Sequence, residues 1–583
     1  MTRRENETSF TRTDVALAAG IFAVALAIRL AYLAQVWDLP FFEFPLIDAR
    51  SYDEWGRQIA AGHWLGDRTF YQAPAYPYFL GIVYSLFGHD LLVLHVVQMV
   101  MGATSCVLVY GATHRLFGRP PALAAGLLLA GYAPAIFFDG LIQKTSLGLL
   151  LSASLLVVLA GLAQHPRRRS AVASGLLVGL LALTRENALI FALVIPVWLA
   201  AVPRQLSPPR RAVLCGAFGL GVALVLLPVG VRNLAVGGDF TATTSQMGPN
   251  FYIGNNPDAS GLYAPLLPGR HTPDFEGSDA RKLAERDMQR ELTPGEVSAY
   301  WMGRSLAWIR DAPAAWLSLL ARKALLTVND FEVPDTEDLY VNAQFSGLLG
   351  ALLAFLRFGV LFPIAAAGIV IVWREHDLPG RRASGLFLLL AAVFAAAVAV
   401  FYVWARYRFP LVPLLVPFAG LAVARGVRFV RGRDFEALAA PTVALVAAAL
   451  VSNFEMLERE RFQHIAWTNL GNIMIRHQRF DEAEEYLQRA AAIHEGGADL
   501  EFHLAVLRVN QDRYADAERH LRRMLETADD DYRGYRLLAR VLRRLNRPEE
   551  ARRHQQRSIE LDPDRPWLGR PAAPPSDPGG PAP

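Results

Sequence analysis

Apolar residues run along this chain in long blocks separated by short polar stretches. A helix needs roughly 20 apolar residues to cross a bilayer, with about 17–25 as the working range. Blocks of that kind lie at 15–36, 91–113, 121–138, 145–163, 212–231, 346–373, 384–403, 409–424 and 437–452. Two shorter blocks, 171–184 and 188–202, read as short spans or as a pair of half-spans. The pattern predicts an all-α, polytopic membrane protein with about 11 spans. Two long, more polar segments interrupt it, 37–90 and 232–345.

After residue 453 the pattern changes. The segment 463–563 is polar and Arg-rich, and it repeats. Leu470, Gly471, Ala483, Leu487 and Ala490 are followed 34 positions on by Leu504, Ala505, Ala517 and Leu521, and 34 further on by Leu538, Ala539 and Ala551. Small residues at fixed places let paired antiparallel helices pack closely, which resembles the tetratricopeptide repeat. Three such repeats form a short α-solenoid, whose concave face suits a protein partner or acceptor. The remainder, 564–583, is rich in Pro and Gly and reads as a disordered tail.

Composition sharpens the membrane reading. The 583 residues are 53% hydrophobic and 19% charged, with mean hydropathy +0.24, too apolar for an ordinary soluble protein. The net charge of +4 says little and offers no case for nucleic-acid binding; the placement of arginines says more. With residues 1–14 as a cytosolic tail, alternating spans put Arg3, Arg4, Arg12, Arg115, Arg119, Arg167 to Arg169, Arg204, Arg210, Arg211, Arg374, Arg381, Arg382, Arg425, Arg428, Arg431 and Arg433 on one side. Segments 37–90 and 232–345, and everything after 453, then face away from the cytosol. The first block exceeds a signal peptide's apolar region of roughly 7–15 residues and no small-x-small site follows, so it reads as an uncleaved span. Cys106 and Cys215 lie in apolar runs and read as small buried hydrophobes. The histidines lack zinc-ligand spacing. The membrane part has no DxD motif, so no cofactor is implied and no motif supports a divalent metal.

The stretch "PLIDARSYDEWGRQIAAG" places dense charge directly after the first span. Tyr52, Trp55 and Ile59 recur at helical spacing, so 49–61 reads as an amphipathic helix on the membrane surface, with Gly62 at its stop. Asp48 stands at its start, where an aspartate can serve as a helix N-cap. Pro74 and Pro77 then lead into a second surface helix, and Phe70, Tyr71, Tyr76, Tyr78 and Phe79 read as an interfacial aromatic belt. "SQMGPNFYIGNNPDASGLY" reads as loop. Residues 296–328 read as helices on the bilayer anchored by Trp301, Trp308 and Trp316, and "NDFEVPDTEDLY" as a solvated acidic turn.

Several of these stretches resemble a known family. The positions Asp48, Tyr52, Asp53, Trp55, Ile59, Gly62, Trp64, Pro74, Tyr76 and Pro77, with "TRENALIFALVIP" and "RYRFPLVPLL" later, resemble GT-C class membrane glycosyltransferases of family 39-like type. Protein O-mannosyltransferases and lipid A aminoarabinose transferases are relatives. The resemblance spans roughly 15–430. It implies a GT-C transmembrane module over 15–231 with external loop 37–90, a periplasmic segment 232–345 and C-terminal spans 346–452. It also implies transfer of a sugar from a polyprenyl phosphate, with inversion, on the periplasmic face of a bacterial inner membrane. An aspartate in the first external loop acts as base in that family, and Asp48 holds the matching place. Asp139 and Asp53 are candidates for a second acid.

The donor phosphate calls for cations. Arg185, Arg406, Arg408 and Lys144 lie at the outer ends of spans, against the positive-inside bias, as does Arg232, and Arg29 lies within the first span. Arginine suits phosphate through paired donors in a fixed fork. The alternatives are a lipid or sugar transporter, against which the absence of repeated halves speaks, and an inactive transferase-like scaffold acting through its repeats.

Overall fold

The computed structural model describes residues 10–201, 206–267, 273–375, 380–494 and 496–561. Arg3, Arg4, Arg204, the last repeat's Pro563 and the expected tail 564–583 lie outside the described residues. Among the described residues the chain is helical, with no β-strand. It divides into two units, one of Met1–Leu266 and Arg270–Phe462, the other beginning at Gln463.

In the first unit eight helices are long and apolar enough to cross a membrane: Arg12–Val36, Leu91–Phe117, Thr145–Gln164, Pro208–Gly237, Gly347–Arg374, Arg381–Val400, Leu411–Gly432 and Phe435–Ser452. A ninth candidate is broken: Arg119–Gly131 and Ala133–Asp139 meet at 55°. Pro134 stands in the first turn of the second piece, where its missing N–H costs nothing. The two short blocks form Arg168–Ala182 and the pair Glu186–Ile190 and Phe191–Ala201. Neither is long enough to count as a full span, in keeping with half-spans, and by length and apolarity the described residues hold eight full spans, or nine with the bent pair. Arg168–Ala182 packs tightly on Pro208–Gly237: Gly175 and Gly221 face one another, and a Cβ on either would meet the partner helix's backbone.

The links gather at two ends. At one end the Asp14 carboxylate accepts from Arg119 (2.7 Å), Gln164 donates to the Arg115 carbonyl (2.6 Å), and Arg425 pairs with Glu375 (2.7 Å). These are links that the charge pattern assigns to one side. At the other end, segments 37–90 and 232–345 pack together. Ile47–Ala60 and Ala75–Phe87 form the two helices expected of the first segment. The last span ends at that same end, where the Ser452 carbonyl accepts from the Asp330 N–H (2.6 Å).

The segment expected as loop at 245–263 contains the helix Met247–Gly254. Its Gly248 and Gly254 lie against the backbones of Ser298 and Phe401, closer than any side chain would allow. Glycine there serves close packing, a signal that resembles loop chemistry in sequence. Pro294–Asp311 and Pro313–Val328 are the expected helices. Trp301 and Trp316, however, point inward, donating to the Ala280 carbonyl (2.9 Å) and the Asn255 side chain (3.0 Å).

In the second unit, Phe480–Ile493, Ala498–Asn510, Tyr514–Thr527, Tyr532–Arg544 and Pro548–Leu561 continue the helix Arg459–Arg476 as antiparallel pairs. Ala483, Leu487, Ala490, Ala505, Ala517, Leu521, Leu538, Ala539 and Ala551 are all buried. These are repeat positions read from the sequence; Leu504, another of them, is only half-buried.

Candidate functional site

Asp48 lies in the first turn of Ile47–Ala60, but it is not the N-cap; Leu46 holds that position and makes no side-chain cap. Ile47 has φ of +45°. A β-branched residue there is strained, at a cost of order 1–3 kcal/mol. The strained turn aims Asp48 inward, where it is 7% exposed. Its Oδ2 accepts from Arg406 Nη1 at 2.6 Å, and among the described residues its Oδ1 accepts no hydrogen bond. Tyr52, one turn on, is buried edge-on to Tyr76.

Arg406 joins two acids. The same Nη1 lies 2.9 Å from Asp335 Oδ2 and 3.4 Å from Gln143 Oε1, and the guanidinium covers the Trp404 ring at 4.6 Å. Burial depresses the tendency of Arg406 to stay charged, but Asp335 and Asp48 outweigh that and hold it ionised. Burial pushes the Asp335 carboxyl up; Arg406 opposes this and Asp48 adds to it.

Arg185 and Lys144 flank this pair. Arg185 donates from Nη2 to Thr145 (3.0 Å) and lies over the Tyr407 ring at 5.3 Å. Its Nε and Nη1 are buried with no hydrogen-bond partner. Lys144 is buried, with Glu186 at 3.9 Å, and burial pulls its ammonium down to about 8 while Glu186 resists. A buried arginine with two idle donors is set up for an anion that completes the site. A cavity of about 360 Å³, open space at its mouth included, adjoins Arg406, Asp335 and Gln143 and is walled by Phe137, Phe138 and Leu141.

The acidic run 330–338 is no solvated turn. Asp330, Glu332 and Asp338 are buried. Asp330 meets Arg357 and Arg459, each at 3.2 Å, and the Gly359 N–H at 2.8 Å. Glu332 meets Arg408 at 2.9 Å. Charge partners from the span ends make burial of these acids affordable. Glu337 has one buried oxygen without a partner, and burial pushes its carboxyl up to about 8.

The remaining candidates are engaged elsewhere. Arg29 and Asp139 are both fully buried and pair with each other at 2.8 Å, apart from Asp48. Two intramembrane charges neutralise one another there, so neither joins the cluster. Arg408 is taken up by Glu332 and by the Asn329 carbonyl. Asp53 accepts from Tyr84 (2.7 Å) and lies 2.8 Å from His89 and 3.3 Å from Arg57, on the other face of its helix. Arg232 covers the Phe70 ring at 3.7 Å and donates to the Leu65 and Arg68 carbonyls, which ties the first external segment down. The expected aromatic belt is largely internal. Tyr76 is buried and donates to Gln98 (2.7 Å), and Phe70 is buried under Arg232. Among the described residues no group of three or more His, Cys, Asp and Glu side chains is placed to hold a metal ion.

The arrangement therefore brings two carboxylates, Asp48 and Asp335, each with one oxygen on Arg406, together with Arg185 and Lys144, at the end of the bundle that carries the external segments. Residues 71–230 match the family model described as "Dolichyl-phosphate-mannose-protein mannosyltransferase", and 474–541 and 535–561 match tetratricopeptide repeat models. No curated protein matches the chain. Among solved structures, the oligosaccharyltransferase AglB of Archaeoglobus fulgidus, in complex with an inhibitory peptide and a dolichol-phosphate, is similar at 15% identity and TM-score 0.43. That similarity covers 82% of this chain and 60% of the archaeal one, so the chain spans about three fifths of its length. ArnT from Cupriavidus metallidurans, bound to undecaprenyl phosphate, is similar at 15% identity and TM-score 0.41, over 87% of this chain and 79% of that one. Residues 71–230 thus form a domain similar to the dolichyl-phosphate-mannose-protein mannosyltransferase family, and residues 474–561 carry tetratricopeptide repeats.

Proposed function

We propose that the chain transfers a sugar from a polyprenyl-phosphate donor to an acceptor hydroxyl at the membrane surface opposite its arginine-rich links, the periplasmic face of a bacterial inner membrane. The observation that carries this reading is Arg185, buried with two unpartnered donors, beside Arg406, Lys144 and the carboxylate of Asp48. A phosphodiester anion supplies what those donors lack. The apolar wall of Phe137, Phe138 and Leu141 offers the adjoining prenyl chain a non-polar surface.

Asp48 then acts as general base. Its free Oδ1 takes the acceptor's hydroxyl proton while the acceptor oxygen bonds to the anomeric carbon. The bond from that carbon to the phosphate oxygen breaks, and the lipid phosphate departs as an anion held by Arg185, Arg406 and Lys144. Attack opposite the leaving group inverts the anomeric configuration. The tetratricopeptide unit is proposed to bind the protein acceptor or a protein partner.

The test is transfer of label from radiolabelled polyprenyl-phosphate sugars to cell-envelope extract by the purified chain in membranes. Label transfer that falls at least tenfold in Arg185→Ala, with a matching rise in the Kd for undecaprenyl phosphate, supports the reading. A wild type that binds no polyprenyl phosphate overturns it.

A further inference from the structure

The second unit carries a charged face that no step above uses. The helix Tyr532–Arg544 holds five arginines and no acid. At about 100° per residue, Arg533, Arg536, Arg540, Arg543 and Arg544 fall within about 100° of arc, clear of the buried Leu538, Val541 and Leu542. Arg540, Arg543 and Arg544 are exposed. Arginines elsewhere in this unit mostly pair with nearby carboxylates, as Arg489 does with Glu485 (2.7 Å), Arg508 with Glu484 (2.9 Å) and Arg522 with Glu518 (2.7 Å). Arg540 and Arg544 form no ion pair with a carboxylate among the described residues. Like charges three and four positions apart destabilise a helix, so this run opposes the fold it sits in.

The face continues onto an apolar stripe. Phe502, Val506 and Val509 stand 34 positions, one repeat, before Arg536, Arg540 and Arg543. They are half-buried and pack on the same core as Leu537 and Val541. Residues one repeat apart share a face of the stack. At one edge the contact is direct. Arg533 pairs with Asp499, its own counterpart one repeat back, at 2.8 Å, and its guanidinium covers the Phe502 ring at 5.1 Å. Arg533 also meets Asp531 at 2.6 Å. It therefore joins the two helices, while Arg540 and Arg544 carry uncompensated charge beside the stripe.

Resting on the reading of this unit as a protein-binding module, we propose that this face docks an acidic peptide segment of a partner protein, its carboxylates on the arginines of Tyr532–Arg544 and an apolar side chain on the stripe of Phe502, Val506 and Val509. Guanidinium forks match carboxylates through paired donors. Arg533 to Arg544 spans about 16 Å at about 1.5 Å per residue. An extended chain rising about 3.3 Å per residue covers that length with about five residues. Side chains of such a segment reach both the charges and the stripe, whereas the headgroups of an anionic bilayer present charge alone.

The test uses the full chain in phosphatidylcholine nanodiscs. Fluorescence anisotropy follows a labelled glutamate-rich peptide carrying one leucine, with its glutamine counterpart as control. Wild type binds the glutamate peptide at least tenfold more tightly than the glutamine one, and added salt shrinks the preference. Arg540→Gln with Arg544→Gln loses at least tenfold in affinity for the glutamate peptide with no fall in Tm, since it removes repelling neighbours. Arg519→Gln with Arg523→Gln, an equal loss of charge on the helix Tyr514–Thr527, leaves that affinity within threefold. The inference is overturned if the two double variants bind alike, or if wild type does not prefer the glutamate peptide. It is also overturned if wild type binds phosphatidylglycerol vesicles and not the peptide, which assigns the face to lipid. A photocrosslinker at Val506 separates this failure from that of the coarser reading. If the peptide preference fails while the crosslinker captures an envelope protein, the unit binds protein by other chemistry; if both fail, the protein-binding reading falls too.

Discussion

Replacing Arg406 by Met removes the cation shared by Asp48 (2.6 Å) and Asp335 (2.9 Å) while keeping a side chain of similar length against Trp404. Breaking a buried pair from one side costs about 3–5 kcal/mol, because the orphaned charge stays in low dielectric. The carboxylates can escape that cost by binding a proton. Protonating an ordinary carboxyl at pH 7 costs about 4 kcal/mol, which bounds the loss from one orphaned acid. Asp335 is already pushed up and loses less. The expected total is therefore about 4–6 kcal/mol, less than twice the single-pair figure. Asp48 loses the guanidinium that fixes it and the departing phosphate loses a cation, so transfer falls at least 100-fold. Both effects carry signatures. The stability deficit of Arg406→Met grows as pH rises between 6 and 9, since burial holds the Asp335 carboxyl up and its ionisation is then unpaired. Adding Asp335→Asn restores part of the stability, a coupling of about 0.5–3 kcal/mol. Arg406→Lys recovers stability better than transfer, because an ammonium lacks the guanidinium's fork. The assay is thermal inactivation with label transfer across that pH range. A variant that inactivates like wild type and transfers within threefold would refute the reasoning.

Two further predictions concern residues outside the cluster. Arg29→Met destabilises by about 3–5 kcal/mol, and the double variant Arg29→Met with Asp139→Leu is restored toward wild type, because an intact apolar pair replaces a broken ionic one. The Kd for undecaprenyl phosphate stays the same in both when measured on folded protein; a rise would return Arg29 to the phosphate site. In the repeats, a Cβ at Gly471 would come within 2.6 Å of Leu487, so Gly471→Val costs about 1–3 kcal/mol in chemical denaturation of the full chain. An unchanged midpoint would remove the close-packing role.

What could be read from the sequence follows the range of the interactions. The repeats and the long spans rest on periodicities within one element, and Ala483, Ala517 and Ala551 are buried as their spacing requires. The break at Tyr132 and the inward turn of Asp48 depend on backbone geometry at single residues. Burial of the acidic run 330–338 is hard to read because its partners, Arg357, Arg406, Arg408 and Arg459, are scattered far along the chain; alone, it has the composition of an exposed turn. A signal was present. Arg406 and Arg408 stand at the outer end of a span, and burying both requires acids on the same face, where 330–338 is the densest run. Arg29 and Asp139 carried a similar signal, as opposite charges within apolar blocks most simply satisfy each other. The aromatic residues 70–79 were assigned to the interface because sequence cannot tell a ring facing lipid from one under a guanidinium, as Phe70 is under Arg232.

The central claim is that Asp48 acts on the acceptor and the arginines on the donor. The most direct measurement is single-turnover transfer by Asp48→Asn, alongside its Kd for undecaprenyl phosphate. The account predicts transfer reduced at least 100-fold, with the lipid phosphate bound as tightly as by wild type or more tightly, since a negative charge has left its neighbourhood. Transfer within threefold of wild type would contradict it.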